Sequence, residues 1–165
     1  MSNLSNRRRV PIPCAVTDGE IILATGDVSM HPERAFIALI TPEVEKWWGS
    51  DDTYHVTDWK ADLKVGGKWS LVVVRPDGMS FPASGEFLEL DIPRKIVLTR
   101  RYDWAHPTLG NTLTKVTYLL KPIEGGTNLI IRHEDFGGDA EAAFEHEQGW
   151  ERYIGWLDDY GKLSR

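Results

Sequence analysis

The stretch from Asp139 to Leu163 restricts the possible folds of this chain more than any other segment. Read at 3.6 residues per turn, its apolar side chains fall on two adjacent stripes of one long helix. The first stripe holds Ala143, Glu147, Trp150, Ile154 and Leu157, and the second holds His146, Tyr153, Trp156 and Tyr160. The opposite, solvated face holds Glu145, Gln148, Arg152, Asp159 and Lys162. A helix of this kind needs a wide apolar surface to pack against.

Two features distinguish this helix from an ordinary core helix. Gly149 and Gly155 lie in its interior, where each glycine costs about 1 kcal/mol relative to alanine. Glu147 and His146 lie on or beside the buried stripe, where polar groups need partners. In one interpretation, the glycines let a strand approach closely and Glu147 turns to the rim. In the other, the helix covers a cavity into which the polar groups point.

The composition narrows the class of protein. The chain has 165 residues, which suits one domain with a sizeable core. Its net charge of −6 gives a nucleic acid or an anionic membrane no long-range attraction. Seven tryptophans are a high count, and such rings line pockets and interfaces as well as cores.

The N-terminal segment predicts neither a secretion signal nor a membrane span. The apolar patch from Val10 to Val16 is short and is interrupted by two prolines. Cys14 is the one cysteine, so no intrachain disulfide can form and a thiolate metal site is not expected. We therefore expect a cytoplasmic protein with a flexible N-terminal tail at residues 1–15 and a single domain at residues 16–165.

The rest of the chain predicts an α+β fold. One strand is expected from Glu20 to Met30, and Pro32 and Pro42 each begin a short helix, because proline suits the first helical position. Six further strands are expected between Tyr54 and Asp135, separated by turns that contain glycine or proline. Consecutive strands with short turns form an antiparallel sheet, against which the helices pack.

Five motifs in this order resemble those of a known family. They are Pro42-Glu43 followed by Trp47-Trp48-Gly49, Asp62 to Trp69 with its Gly66-Gly67 pair, Gly85 to Lys95, Gly125-Gly126-Thr127, and Gly149-Trp150. In these motifs the chain resembles the Aha1-like (activator of Hsp90 ATPase homologue 1-like) proteins of the START/Bet v 1-like (SRPBCC) superfamily. The resemblance implies a helix-grip fold, with a curved antiparallel sheet wrapped around the C-terminal helix and two short helices after the first strand.

The resemblance also implies a function. Members of the family are mostly thought to bind small apolar ligands in a hydrophobic cavity, and the related cyclases carry out chemistry in the same place. The eukaryotic namesake is an Hsp90 co-chaperone with a separate N-terminal domain, for which this chain has no room.

We therefore expect a small, largely apolar ligand between the sheet and the C-terminal helix. The predicted wall consists of His146, Glu147, Trp150, Tyr153, Ile154, Trp156 and Leu157 from the helix, and of Trp48, Trp69 and Phe87 from the rest of the chain. Glu147 and His146 would supply a polar contact that orients the ligand. No cofactor is predicted.

Two other functions fit the sequence. A cyclase or hydrolase would use Glu147, because burial alters the proton affinity of a carboxylate. A chaperone-linked or regulatory interaction module would have a protein partner and a cavity filled by side chains, and a homodimer is also left open. No metal site is predicted from His133-Glu134-Asp135 or His146-Glu147, because adjacent residues point different ways. Only His133 and Asp135 share a strand face, and the helix has no His-x-x-x-His or Glu-x-x-His pair. No nucleophile motif predicts a catalytic residue.

Overall fold

Residues 13–163 are described by a computed structural model, in which they form one antiparallel sheet and three helices. The strands are β1 (Cys14–Thr17), β2 (Ile22–Val28), β3 (His55–Ala61), β4 (Lys68–Val74), β5 (Ser80–Asp91), β6 (Lys95–Tyr102), β7 (Thr114–Ile123) and β8 (Gly126–Glu134). The helices are α1 (Pro32–Ile40), α2 (Val44–Trp47) and α3 (Ala140–Leu163). The strand order across the sheet is β1-β2-β8-β7-β6-β5-β4-β3. This curved sheet, with α3 packed on it, is the predicted helix-grip fold.

The start of the domain differs from the prediction. Cys14 and Ala15 were assigned to the tail, but both belong to β1, which pairs antiparallel with β2. The strand was missed because its four residues are too few to show an alternating pattern, and only Ala15 among them is buried. Residues 1–12 lie outside the described part of the chain, so a flexible tail there stays a prediction.

The long helix begins as predicted and lies toward one edge of the sheet. Asp139 caps it, because its Oδ1 accepts the backbone N–H of Ala142 at 3.0 Å. Two carboxylates of α3 accept backbone N–H groups, one from β1 and one from the residue that follows β2. Glu151 accepts from Ala15 at 2.9 Å, and Asp158 accepts from Ser29 at 2.8 Å. These bonds attach α3 to the β1–β2 edge and leave its other flank facing the middle of the sheet.

A glycine in the sheet permits this close approach. An ideal Cβ on Gly26 of β2 would lie only 2.8 Å from Cγ2 of Ile154, which is fully buried in α3. A Cβ on Gly149 or Gly155, by contrast, would meet no atom within 4 Å. One interpretation of the sequence proposed that Gly149 and Gly155 let a strand approach closely. The open space beside both glycines shows that no strand packs against them.

A charged cluster joins the short helices to α3. Arg34 of α1 donates to both carboxylate oxygens of Glu43, at 3.1 and 2.7 Å, and the Tyr160 hydroxyl donates to the same carboxylate at 2.6 Å. Partial burial raises the pKa of Glu43, but the hydrogen bonds from Tyr160 and Arg34 outweigh it and hold the pKa below its usual value. The cluster fixes α2 beside α3, and with it Trp48, the residue that follows α2.

Replacing Gly26 by alanine tests the contact between α3 and β2. The new methyl group would also lie 3.3 Å from Pro13, so we expect Gly26→Ala to lower the free energy of unfolding by about 1–3 kcal/mol. Gly155→Ala is the matched control, because its methyl group meets open space and should raise the free energy of unfolding by up to about 1 kcal/mol. Urea unfolding measures both values. Equal effects of the two substitutions would contradict the close approach.

Candidate functional site

Tryptophan side chains fill the deep space between the sheet and the helices. Trp59 and Trp69 stack with ring centroids 5.8 Å apart, and the Trp69 indole N–H donates to the backbone oxygen of Thr99 at 3.0 Å. The remaining gap beside them has a volume of about 10 Å³, which is the space of a single water molecule. No organic ligand fits there, so the deep apolar part of the fold is core.

An open cavity of about 250 Å³ lies on the flank of α3 that faces the middle of the sheet. Its walls come from α3, from β6, from the segment between α2 and β3, and from the loop after β6. They are formed by Trp48, Tyr54, Arg100, Tyr102, His106, Glu145, His146, Gly149, Trp150, Arg152 and Tyr153. The volume is just below the range of about 300–1,000 Å³ that is usual for ligand pockets.

Four of the predicted wall residues line this cavity: Trp48, His146, Trp150 and Tyr153. Their aromatic rings meet edge to face, as ring quadrupoles favour. The ring of Tyr153 lies 4.9 Å from that of Trp48 and 5.0 Å from that of Trp150, at interplanar angles of 88° and 74°. These rings form a rigid aromatic wall.

The other predicted wall residues do not line the open cavity. Ile154, Leu157 and Phe87 are fully buried core residues, and Trp69 borders the small gap described above. Trp156 stands behind the wall, with its ring edge-on to Tyr54 at 5.7 Å. A helical period of 3.6 residues identifies the buried face of a helix. It does not distinguish residues of that face that pack against other side chains from residues that line a cavity.

Glu147 is half-buried and is not among the residues that line the cavity. It lies one helical turn before Glu151, the residue that binds β1, and so belongs to the flank that faces β1. The carboxylate that lines the cavity is Glu145, together with Gly149 and Arg152. The helical pattern had predicted that Glu145 and Arg152 lie on the solvated face. The difference arises because α3 lies at one edge of the sheet, which the helical pattern cannot reveal.

Besides Glu145, Gly149 and Arg152 of α3, sequence reasoning missed four residues of the cavity elsewhere in the chain: Tyr54, Arg100, Tyr102 and His106. A signal for two of them was present in β6. Side chains alternate along a strand, so Arg100 and Tyr102 share the inward face with the buried Leu98. A charged residue on an inward face indicates a polar site. Nothing in the sequence located Tyr54 and His106, because both lie outside regular elements.

Hydrogen bonds fix the proton position on His146. Its Nδ1 lies 2.7 Å from the backbone oxygen of Ala142, and a carbonyl can only accept, so Nδ1 carries the proton. Its Nε2 therefore accepts from the Tyr102 hydroxyl, which lies 2.7 Å away. The bond joins α3 to β6 across the cavity and orients both rings.

The fully buried His133 has the opposite tautomer. The Trp150 indole N–H donates to Nδ1 of His133 at 3.0 Å, so the proton of His133 is on Nε2. That Nε2 donates to the Thr114 hydroxyl at 2.8 Å, and the hydroxyl donates to the backbone oxygen of Arg100 at 3.1 Å. This chain of hydrogen bonds connects the wall residue Trp150 to β6.

The loop after β6 closes one side of the cavity. His106 stacks on Tyr102, with ring centroids 4.4 Å apart and an interplanar angle of 7°. Its Nδ1 accepts the backbone N–H of Leu109 at 3.2 Å. Thr108 donates to a carboxylate oxygen of Glu145 at 2.6 Å and so attaches the loop to α3.

The guanidinium of Arg100 lies among aromatic rings. It is 5.9 Å from the ring centroid of Trp48 and 5.6 Å from those of Tyr102 and Trp150, within the range of cation–π attraction. Its one side-chain hydrogen bond within residues 13–163 is a long one, 3.4 Å, to the Tyr102 hydroxyl. No carboxylate of that part of the chain forms an ion pair with it.

The environment keeps the nearby histidines neutral. Burial, and then the charge of Arg100, lower the pKa of His146 to about 4. The same two causes, in the same order, hold the pKa of His133 well below its usual value.

Within the described range, no group of three or more His, Cys, Asp and Glu side chains is arranged to hold a metal ion. No helix in residues 13–163 is long and apolar enough to cross a membrane.

Comparison with protein families gives a match over most of the chain. The family model described as "Activator of Hsp90 ATPase homolog 1-like protein" matches residues 29–162. A search of curated proteins gives no match.

Solved structures show the same fold. A protein from Nitrosomonas europaea is 20% identical, with 90% of this chain and 98% of that chain covered and a TM-score of 0.73. A protein from Rhodobacter sphaeroides is 20% identical, with coverages of 90% and 97% and a TM-score of 0.74. An AHSA1-like protein from Aeromonas hydrophila is 19% identical, with coverages of 87% and 93% and a TM-score of 0.68.

The neutral state of His146 makes stability depend on pH. The pKa of His146 is lower in the folded chain than in the unfolded chain. The stabilisation that neutral His146 gives to the folded state is therefore complete above about pH 6.5 and is lost as the pH falls toward 4. We expect this residue to reduce the free energy of unfolding by about 2 kcal/mol between pH 7 and pH 5. Urea unfolding at both pH values should show a smaller decrease for His146→Gln than for the unchanged chain. Equal decreases would contradict the assignment.

Proposed function

The chain belongs to the Activator of Hsp90 ATPase homolog 1-like family, and we propose that it binds a small, flat, aromatic molecule in the cavity between α3 and β6. The observation that carries this proposal is the open volume of about 250 Å³ beside a rigid wall of aromatic rings. Flat rings stack well on such walls, and the volume is too small for a long lipid.

The cavity differs in character from the largely apolar one expected from the sequence. Arginine, histidine, tyrosine and glutamate side chains contribute to its walls together with the tryptophans. Because the deep apolar space is filled by Trp59 and Trp69, the ligand is bound nearer the surface, where polar groups meet it. The polar groups would set its orientation and the rings would supply contact area.

The two alternatives have less support. The enzyme hypothesis relied on Glu147, and that carboxylate is not among the residues lining the cavity. The interaction-module hypothesis predicted a cavity filled by side chains; Trp59 and Trp69 do fill the deep space, but a volume of about 250 Å³ remains open beside α3. Ligand binding is the function that this geometry supports best.

A substitution on α3 can fill the cavity without disturbing the core. Gly149 lines the cavity, and a Cβ there meets no atom within 4 Å. We expect Gly149→Leu to retain the fold, because leucine favours helices, and to weaken binding of small aromatic compounds at least tenfold. Binding of indole, benzamide and benzoate is followed by chemical-shift changes in ¹H–¹⁵N spectra of the full chain.

Gly155→Leu is the matched control for this experiment. It adds the same side chain to the same helix at a glycine that also faces open space but does not line the cavity. It should leave binding unchanged. Equal weakening by both substitutions, or the absence of binding by every compound of the panel, would refute the proposed function.

A further inference from the structure

We propose that Arg100 is the anchor for an anionic group, and that the ligand of this cavity is a small aromatic carboxylate. The inference rests on the proposed function and deepens it by naming the chemical class of the ligand. It makes the charge of one enclosed side chain, rather than the aromatic wall, the source of selectivity.

The first support is the missing counter-charge. The Arg100 guanidinium has three aromatic rings within 6 Å and one long hydrogen bond to Tyr102, but no ion pair within residues 13–163. A charge withdrawn from water normally has a charged or hydrogen-bonded partner, because desolvation costs several kcal/mol. The ring faces compensate for part of this cost and leave most of the five N–H donors available. A bound anion supplies the missing partner.

The second support is the balance of charge around the cavity. Two arginines, Arg100 and Arg152, line it against the single carboxylate of Glu145. The Glu145 carboxylate is engaged by the Thr108 hydroxyl at 2.6 Å, whereas Arg152 forms no ion pair in the described part of the chain. His146 is neutral at pH 7. The lining therefore carries a net positive charge, which favours an anion.

The third support is an excess of hydrogen-bond donors. The Trp48 indole N–H donates to the Tyr54 hydroxyl oxygen at 3.2 Å, so the Tyr54 O–H proton is available for another acceptor. Burial raises the pKa of Tyr54, so its hydroxyl keeps its proton. Guanidinium and hydroxyl donors together match the oxygens of an anion.

Size and charge together favour a carboxylate. The planar fork of a guanidinium pairs with a carboxylate through two parallel hydrogen bonds. Arg100 and Arg152 against Glu145 give the lining a net charge of +1, which balances a single negative charge, whereas a phosphate dianion would leave one negative charge uncompensated. The aromatic wall of Trp48, Trp150 and Tyr153 is suited to a ring attached to that carboxylate.

Calorimetric titration of the full chain with matched acids and amides tests the inference. The probes are benzoate and benzamide, phenylacetate and phenylacetamide, and indole-3-acetate and indole-3-acetamide. Each amide has the shape of its acid but no charge. We expect the acids that bind to do so at least tenfold more tightly than their amides. We expect Arg100→Gln to reduce this preference to less than twofold while amide binding persists.

Arg101→Gln is the matched control, because Arg101 is the next residue of β6, is exposed, and pairs with Asp103 at 3.0 Å. It should keep the full preference for acids. If Arg100→Gln does not fold, the test is instead the NMR signal of the Arg100 Nε–H group in the unchanged chain. That resonance should shift with benzoate and not with benzamide.

The outcomes separate the two proposals. If acids and amides bind equally, or if Arg100→Gln keeps the preference, the carboxylate inference fails and the proposed function stands. If no member of any pair binds, both fail. Tighter binding of phenyl phosphate than of benzoate would overturn the choice of carboxylate as the anionic group.

Discussion

The site depends on where α3 contacts the sheet. Gly26 allows Ile154 to approach β2 closely, and the carboxylates of Glu151 and Asp158 accept backbone N–H groups at the same edge. These contacts hold the helix over β1 and β2 and leave a space above β6. A helix over the middle of the sheet would cover the inward side chains of β6. Because α3 lies over β1 and β2, these side chains, Arg100 and Tyr102, line a cavity instead.

The sequence predicted the fold well because the fold follows from local signals. Prolines began the short helices, glycine-containing turns separated the strands, and Asp139 marked the start of α3. The first strand was missed because four residues carry too little pattern. Local signals of this kind report which residues form an element, and they report much less about how elements pack.

The cavity was predicted only in part for the same reason. Trp150 and Tyr153 were found because they lie on the apolar side of a long helix, whereas Glu145 was assigned to solvent and Glu147 to the cavity. Because α3 lies at one edge of the sheet, Glu145 rather than Glu147 lines the cavity. The helical period of the sequence does not reveal that position. Arg100 could have been found from strand alternation, but only the packed structure shows that no carboxylate of residues 13–163 pairs with it.

The opposite tautomers of His133 and His146 have a spectroscopic consequence. His146 holds its proton on Nδ1 and His133 holds its proton on Nε2, although their rings are only 5.6 Å apart. Protonated and unprotonated imidazole nitrogens resonate far apart in ¹⁵N spectra, so the two side chains give signals that can be told apart without substitution. His146 lines the cavity and His133 lies behind Trp150. One imidazole thus reports events inside the cavity, and the other, a few ångströms deeper, reports whether its wall has moved.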